Sequence, residues 1–313
     1  GNYKLSIKYL LEAIKLMPQN QKLKNYLIDL FNYYEPNDLK NSIIKLNHQI
    51  SEVGTIKKND KKLQNININK LFIKSEEILQ KKFISFNYPE TQIYRRNKHN
   101  LNCDRHFGIF NKYKIIPKFC FSCYKVQITI KNVLNLIKLY FYFNNLVLEK
   151  NNIRKTMIEL REKVSGNYKG YLYANSISEA DNIKNIITKD LTNNEIDFEK
   201  IEIKHGCTEY YEEYELYKNI NEDVTNQIYK KDWINLENEF DQKNWIEENS
   251  NERSYNNTLN KFNLPDFLII KNWLIYAKII DDQSYKKVFD IDVKTTHLSK
   301  TDIQKIQLRA KKN

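Results

Sequence analysis

Cysteine, glycine and uninterrupted apolar runs are all scarce in this chain of 313 residues. The sequence has four cysteines. Free thiols at the spacing of metal ligands fit a reducing compartment, so we expect a cytoplasmic protein. The apolar stretch 266–280 is interrupted by Lys271 and is too short to cross a bilayer, and we find no signal-peptide pattern. We therefore expect no membrane partner.

The composition is that of a folded chain with an uneven distribution of charge. Hydrophobic residues make up 41% of the sequence, which excludes a disordered chain, and the length allows two or three domains. The net charge of +12 combines a basic stretch over 51–170 with an acidic one over 171–260. A basic stretch can attract a phosphate backbone, and two oppositely charged halves can equally attract one another.

Three of the four cysteines are clustered with a histidine near position 100. Cys103 and His106 form one short pair, and Cys120 and Cys123 form a second pair after a thirteen-residue interval. Two short pairs joined by a loop are typical of a tetrahedral zinc site, because each pair chelates the ion from one turn. The spacing therefore predicts a metal site, with unligated buried or surface thiols as the alternative.

Residues 124–204 alternate between strand-like and helix-like patterns. In 124–130 the apolar residues recur at every second position, which is the period of a half-buried strand. The expected strands are 124–130, 154–161, 169–175 and 198–204, and the expected helices are 131–148 and 177–191. This βαββαβ order resembles the split βαβ pattern of ferredoxin-like domains, which implies the α+β fold class.

The resemblance to ferredoxin-like domains implies where the cysteines meet. In that fold the fourth strand lies antiparallel beside the first, so the end of the fourth strand lies next to the beginning of the first. Cys207 follows the fourth strand and Cys123 precedes the first. The expected ligands are then Cys103, Cys120, Cys123 and Cys207, with His106 as a fifth candidate or as a partner that orients a ligand. Four thiolates suit zinc, and they equally suit an iron–sulfur cluster.

The third expected strand resembles part of an RNA-recognition motif. It contains Lys169, Gly170, Tyr171 and Tyr173. In that family a basic residue, a glycine and alternating aromatic residues form a platform on which bases stack. The resemblance implies RNA binding by Lys169, Tyr171 and Tyr173, although Gln127 stands where a second platform aromatic belongs. Paired aromatic residues on a strand also serve packing, which is the alternative.

Two adjacent arginines, Arg95 and Arg96, stand shortly before the first cysteine. Guanidinium groups bind phosphate and carboxylate oxygens in a bidentate manner. Both arginines are therefore candidate nucleic-acid contacts, with a solvated surface pair as the alternative.

The first 18 residues carry a separate pattern, formed by Gly1-Asn2-Tyr3 followed by Ser6, Leu10, Ala13 and Pro18. A turn glycine, an aromatic residue, small residues where two helices touch and a closing proline resemble the second half of a tetratricopeptide repeat. Residues 20–32 and 37–50 are expected to form another helical pair. The resemblance implies a solenoid that binds proteins or peptides. Because such repeats need neighbours, it also implies further repeats before residue 1.

A short acidic pattern near the C-terminus resembles the PD-(D/E)xK nuclease signature. It consists of Pro265-Asp266, Asp290 and Asp292-Val293-Lys294. In that family two acidic groups hold Mg²⁺ and a lysine helps to activate the attacking water. The family pattern requires Asp266 on a strand beside that of Asp292, whereas the helical spacing of 267–280 predicts a helix that Asp266 caps.

We expect four segments in the chain. These are helical hairpins over 1–50, a linker and helix over 51–90, a metal-binding ferredoxin-like domain over 91–210 and a mostly helical region over 211–313. The function that fits them is an adaptor with a structural zinc site, which binds a protein or peptide through its repeats and RNA through its sheet. A metal- or iron–sulfur-dependent enzyme domain attached to the repeats is the alternative, and the nuclease is the remote one.

Overall fold

The computed structural model describes residues 2–54, 65–81, 86–221, 226–244, 257–293 and 298–311. The helices are α1 (Tyr3–Leu16), α2 (Gln21–Leu30), α3 (Ser42–Val53), α4 (Asn65–Gln80), α5 (Cys103–Tyr113), α6 (Val133–Asn145), α7 (Ile177–Asn193), α8 (Trp233–Lys243), α9 (Leu264–Ile279) and α10 (Lys300–Lys311). The strands are β1 (Gln92–Arg95), β2 (Tyr124–Ile130), β3 (Arg154–Ile158), β4 (Tyr168–Ala174) and β5 (Phe198–His205). Short 3-10 helices lie at Lys118–Phe121, Thr208–Glu212, Glu215–Lys218 and Gln283–Lys287.

The strands form one antiparallel sheet with the order β1-β3-β4-β2-β5. Helix α6 connects β2 to β3, and α7 connects β4 to β5, so helices and sheet combine in an α+β structure. Side chains of a strand alternate between the two faces of a sheet. The helix-covered face carries Val126, Ile128 and Gly170, and we call the opposite face, with Lys125 and Lys169, the basic face.

The helix-covered face is packed closely. Val126 and Ile128 are fully buried, and α6 approaches the sheet at Gly170, where a Cβ atom would lie 2.4 Å from Leu139 Cδ2. That distance is shorter than any ordinary contact, so glycine is needed at this position for the helix to reach its place. The two crossover helices begin at side-chain caps, with Asn132 accepting from the backbone of α6 and Ser176 from that of α7.

Strands β1 and β3 differ most from the expected pattern. Strand β1 was not expected, since a four-residue edge strand that ends in an arginine is too short to show a clear alternation. Strand β3 ends at Ile158 rather than at 161. The chain leaves the strand at Glu159, whose carboxylate accepts from the backbone N–H of Arg161 at 3.0 Å and from its Nε at 2.9 Å.

Helix α9 begins earlier than its apolar spacing predicts, and Asp266 is not its cap. Asn263 caps the helix by accepting from the backbone N–H of Asp266 at 3.1 Å. The Asp266 carboxylate is fully buried and pairs with Arg95 Nη2 at 2.6 Å. Tyr140 also donates to it at 2.6 Å. Arg95 is therefore a core residue, and its role as a nucleic-acid contact stays a prediction that this burial does not favour.

The N-terminal helices share their core with the sheet. One buried apolar cluster includes Ile7 of α1, Ile44 of α3 and Phe72 of α4 together with residues of the sheet and of α9. Hydrogen bonds reinforce this packing, with Asn47 of α3 accepting from the first backbone N–H of α9 at 3.1 Å. The expected linker and helix of 51–90 thus contribute α4 to this core, and 55–64 lie outside the described residues.

Candidate metal centre and basic sheet face

The pairing of β2 with β5 brings Cys123 and Cys207 to the same end of the sheet. Tyr124 lies opposite His205, and the Gly206 N–H donates to the Cys123 carbonyl at 2.8 Å. A Cβ atom on Gly206 would lie 2.5 Å from Cys123 Sγ, so glycine lets the two chain segments approach. The other two cysteines come from the first residue of α5 and from the 3-10 helix Lys118–Phe121.

The thiols at this end of the sheet interact with one another. Interaction with the neighbouring Cys207 thiol is the main cause that raises the pKa of Cys103 far above that of a free thiol. Cys103 in turn lowers the pKa of Cys207, but the neighbouring Cys120 and burial outweigh this effect and raise that pKa to about 12. Burial, and then the proximity of Cys207 and Cys103, raise the pKa of Cys123. None of the four cysteines forms a disulfide.

The donor set fits a thiolate-bound metal ion by its chemistry. Among the described residues, no three His, Cys, Asp or Glu side chains are already arranged around a common ion position. Burial and the neighbouring thiols raise the pKa values of Cys103, Cys123 and Cys207, so a metal ion would have to displace their protons on binding. Tyr210 and Tyr217 surround Cys120, with the Tyr210 hydroxyl 3.6 Å from its sulfur and the Tyr217 hydroxyl donating to its carbonyl at 2.7 Å.

His106 lies on α5 in a different environment from the cysteines. Its ring is stacked on Phe119 with centroids 5.1 Å apart, and it is 3% exposed. Burial, and then the neighbouring Arg105, lower the pKa of His106 to about 4. Arg105 is in turn held by Glu237 and Asp241 of α8 at 3.0 and 2.6 Å. The imidazole is thus neutral and packed between an aromatic ring and an ion cluster.

The basic face carries three lysines around one tyrosine, which the sequence patterns did not single out as a group. Lys125 and Lys155 place their ammonium nitrogens 5.4 and 5.0 Å from the centre of the Tyr171 ring. Lys125 is 6% exposed and Lys169 is 1% exposed. Burial lowers the pKa of Lys125, Lys155 and Lys169 to about 8 in each case. This grouping follows from the strand registers, which cannot be read from the sequence alone.

Two segments cover the basic face. One is the β3–β4 connection, 159–167, and the other is 206–212, which follows β5. The first lies against the face at Gly166, where a Cβ atom would meet Thr129 Cγ2 at 2.8 Å and Lys169 Cε at 3.5 Å. The second accepts from Lys125 Nζ at the Gly206 carbonyl, at 3.0 Å. Arg161 and Glu209 join the two segments by an ion pair of 2.9 Å.

The residues expected to bind RNA are therefore distributed over different environments. Tyr171 is 3% exposed and lies beneath the covering segments, so its ring has no free face for a base. Tyr173 is half-buried on the same face. Arg96 stacks its guanidinium on the Tyr94 ring at 4.2 Å. RNA binding stays a prediction that this arrangement does not favour.

The described residues do not provide the paired strands that the nuclease signature needs. Asp266 lies in the first turn of α9 and is neutralised by Arg95. Asp290 forms an exposed ion pair with Lys278 at 3.3 Å. Asp292 is not in a strand, and Lys294 lies outside the described residues.

Comparison of the chain with protein-family models, curated proteins and solved structures finds no match.

No helix among the described segments combines the length and the apolar character needed to cross a membrane.

Proposed function

We propose that this chain is a binding protein whose ferredoxin-like α+β unit is stapled by a structural zinc ion on Cys103, Cys120, Cys123 and Cys207. The observation that supports this proposal is the position of Cys207, whose thiol interacts with both Cys103 and Cys120. These cysteines belong to separate segments, so a shared ion would link α5, the β2 approach and the end of β5. Four-thiolate coordination leaves no open position for a substrate, which makes the role structural.

The N-terminal helices, which resemble tetratricopeptide repeats, are the proposed docking region for a protein or peptide. Large apolar side chains are exposed there, including Tyr9 at 59% and Leu16 at 82% on α1 and Tyr26 at 55% on α2. Exposed apolar side chains in one region favour contact with another chain. The nearby stacking of Tyr3 on Tyr33, with centroids 5.7 Å apart, holds α1 in place.

Metal analysis of protein purified without oxygen tests the zinc proposal. We expect one zinc per chain and no visible absorption band, and we expect Cys207→Ser to lose the metal. The matched control is His106→Gln, which removes the histidine of the original spacing pattern but should leave the metal content unchanged. Protein that contains no metal would contradict the proposal. Equal loss of zinc from Cys207→Ser and from the control His106→Gln would contradict it as well.

An iron–sulfur cluster is the second candidate for the same ligands, since four thiolates suit both. Iron together with a visible absorption band of a cluster would transfer the proposal to redox chemistry at the same four cysteines. The adaptor role would then give way to the enzyme alternative.

A further inference from the structure

The basic face holds more positive charge than its acidic residues neutralise. Three carboxylates, Glu159, Glu202 and Glu209, lie near the three lysines. Each of these carboxylates is already paired elsewhere: Glu159 and Glu209 with Arg161, and Glu202 with two other lysines of β5. Within the described part of the chain, no carboxylate oxygen comes within the 4.0 Å of an ion pair to Lys125, Lys155 or Lys169. Buried cations without a partner are unfavourable, so a counter-ion is missing.

The hydrogen bonds of these lysines leave most of their donors free. Lys125 donates to the Gly206 carbonyl at 3.0 Å, and Lys155 donates to Gln92 Oε1 at 3.3 Å. An ammonium group has three N–H donors. Across the sheet from Lys169, Thr129 is 2% exposed and its hydroxyl has no hydrogen-bond partner. Ammonium and hydroxyl donors on one closed face match a ligand that is rich in anionic oxygens.

The Glu209 carboxylate already supplies part of the missing negative charge. Besides its ion pair with Arg161, it is close enough to stabilise the charged forms of Lys125 and Lys155. The Arg161–Glu209 pair is about half exposed, with 47% and 44% of the two side chains accessible. An exposed pair contributes only about 0–1 kcal/mol. A stronger anion can therefore displace Glu209 at little cost.

The geometry points to a binding site for a small multivalent phosphoryl anion between Tyr171 and the two covering segments, held by Lys125, Lys155, Lys169 and Arg161. The ligand replaces Glu209 on Arg161, and the Glu209 side chain turns out of the contact between the two segments. A small ligand fits better than a polynucleotide, because the lysines lie beneath the cover rather than along an open groove. The site uses no thiol, so anion binding and the proposed zinc can be measured separately.

Arg309 of α10 holds one of the two covering segments, 159–167, in place. Its guanidinium donates to the carbonyls of Val164 and Gly166 at 2.9 and 3.0 Å, and its Nε donates to that of Arg161 at 3.0 Å. It is 3% exposed, so these contacts anchor the β3–β4 connection to the body of the protein. The Glu209 side chain, by contrast, is held by its exposed pair with Arg161, and we expect this side chain to move on binding.

Calorimetric titration of the metal-loaded chain with inorganic pyrophosphate at pH 7 tests the inference. We expect saturable binding of one pyrophosphate per chain, weaker binding of inorganic phosphate and none of acetate. Lys169→Met should weaken pyrophosphate binding about tenfold, since a hydrogen bond to a charged group is lost. Glu209→Gln should strengthen it about threefold, because a competing carboxylate is removed.

The matched control is Lys189→Met, which removes one positive charge from an exposed position on α7. It should leave the affinity unchanged. Metal content measured on the same samples separates anion binding from extraction of the metal, and thus from failure of the zinc proposal. The inference is overturned if wild-type protein and Glu209→Gln show no saturable binding, or if Lys189→Met weakens binding as much as Lys169→Met. A titration with an RNA oligonucleotide provides a further test. The inference is also overturned if Lys169→Met weakens only RNA binding, and pyrophosphate does not compete with the RNA.

Discussion

The two faces of the sheet differ in what covers them and in how much of that cover the sequence reveals. On the helix-covered face, Val126 of β2 and Leu139 of α6 belong to one apolar core and are fully buried. On the basic face, Lys125 and Tyr171 are almost as inaccessible, yet the cover consists of two connections joined by exposed ion pairs. The two faces are therefore about equally buried, but their covers differ in stability. Apolar packing holds the first cover strongly, and exposed ion pairs hold the second weakly.

The largest effect should come from breaking the buried ion pair at the edge of the helix-covered face. Asp266→Ala leaves Arg95 buried at 4% exposure without its carboxylate, and removal of one partner of a buried pair costs about 3–5 kcal/mol. Chemical denaturation would measure this loss. The matched control, Asp290→Ala, breaks an exposed pair with Lys278 and should cost at most about 1 kcal/mol. Equal losses in the two variants would contradict the structure.

Substitutions at two neighbouring residues of β4 should have different effects on the free energy of unfolding. Gly170→Ala places a methyl group 2.4 Å from Leu139 Cδ2, and overpacking of this kind costs about 1–3 kcal/mol. Lys169→Met removes an unpaired buried cation from the basic face, so we expect the free energy of unfolding to stay equal or to rise by about 1 kcal/mol. Denaturation midpoints of both variants measured at pH 7 would test the contrast. A destabilised Lys169→Met variant would show that the lysine has a partner.

The pH dependence of stability should reveal the same lysine. Burial is the main cause that lowers the pKa of Lys169 from 10.5 to about 8. The charged groups that face it are Glu159 and Arg161 from the β3–β4 connection and Glu202 and Lys204 from β5. Between pH 8 and 10.5 the unfolded chain binds more protons at this site than the folded one, so its contribution to stability rises with pH.

The Lys169→Met variant supplies the control for that dependence. Its advantage over the wild type should be complete below pH 8 and should shrink as the pH rises through the window. Denaturation curves at pH 7, 8.5 and 9.5 would show this convergence. Parallel wild-type and variant curves over the whole range would mean that the lysine titrates normally.

The smallest effect should come from the exposed pair that joins the two covering segments. Lys163→Met breaks the 3.0 Å contact with Glu212, in which both side chains are largely exposed. The free energy of unfolding should change by less than about 0.5 kcal/mol. Hydrogen exchange of the 206–212 amides should nevertheless become faster, while exchange in α6 stays unchanged. Faster exchange in both places would indicate general destabilisation.

The sequence was most informative where burial follows a simple period. Strand β2 has the bounds that its alternation predicts, and α7 begins at the residue after its predicted cap, Ser176. The pairing that brings Cys123 beside Cys207 also agrees with the expected strand order. The first two features follow from local patterns in the sequence. The third follows from the rule that the first and fourth strands of a split βαβ unit pair antiparallel.

The remaining features depend on contacts between distant segments. The ion pair of Arg95 with Asp266 joins residues 171 positions apart, and no local pattern announces it. Burial of Tyr171 depends likewise on 159–167 and 206–212, whose polar sequences indicate only connections. His106 has the spacing of a metal ligand, yet its position on α5 places its ring on Phe119. Spacing predicts which residues are near in sequence, and the fold decides which of them share an environment.

X-ray absorption at the edge of the bound metal tests the central claim most directly, because it identifies the ligand atoms. We expect zinc with four sulfur neighbours at ~2.3 Å and no nitrogen or oxygen neighbour. Two or more nitrogen or oxygen neighbours, or protein without any bound metal, would contradict the claim that Cys103, Cys120, Cys123 and Cys207 form one site.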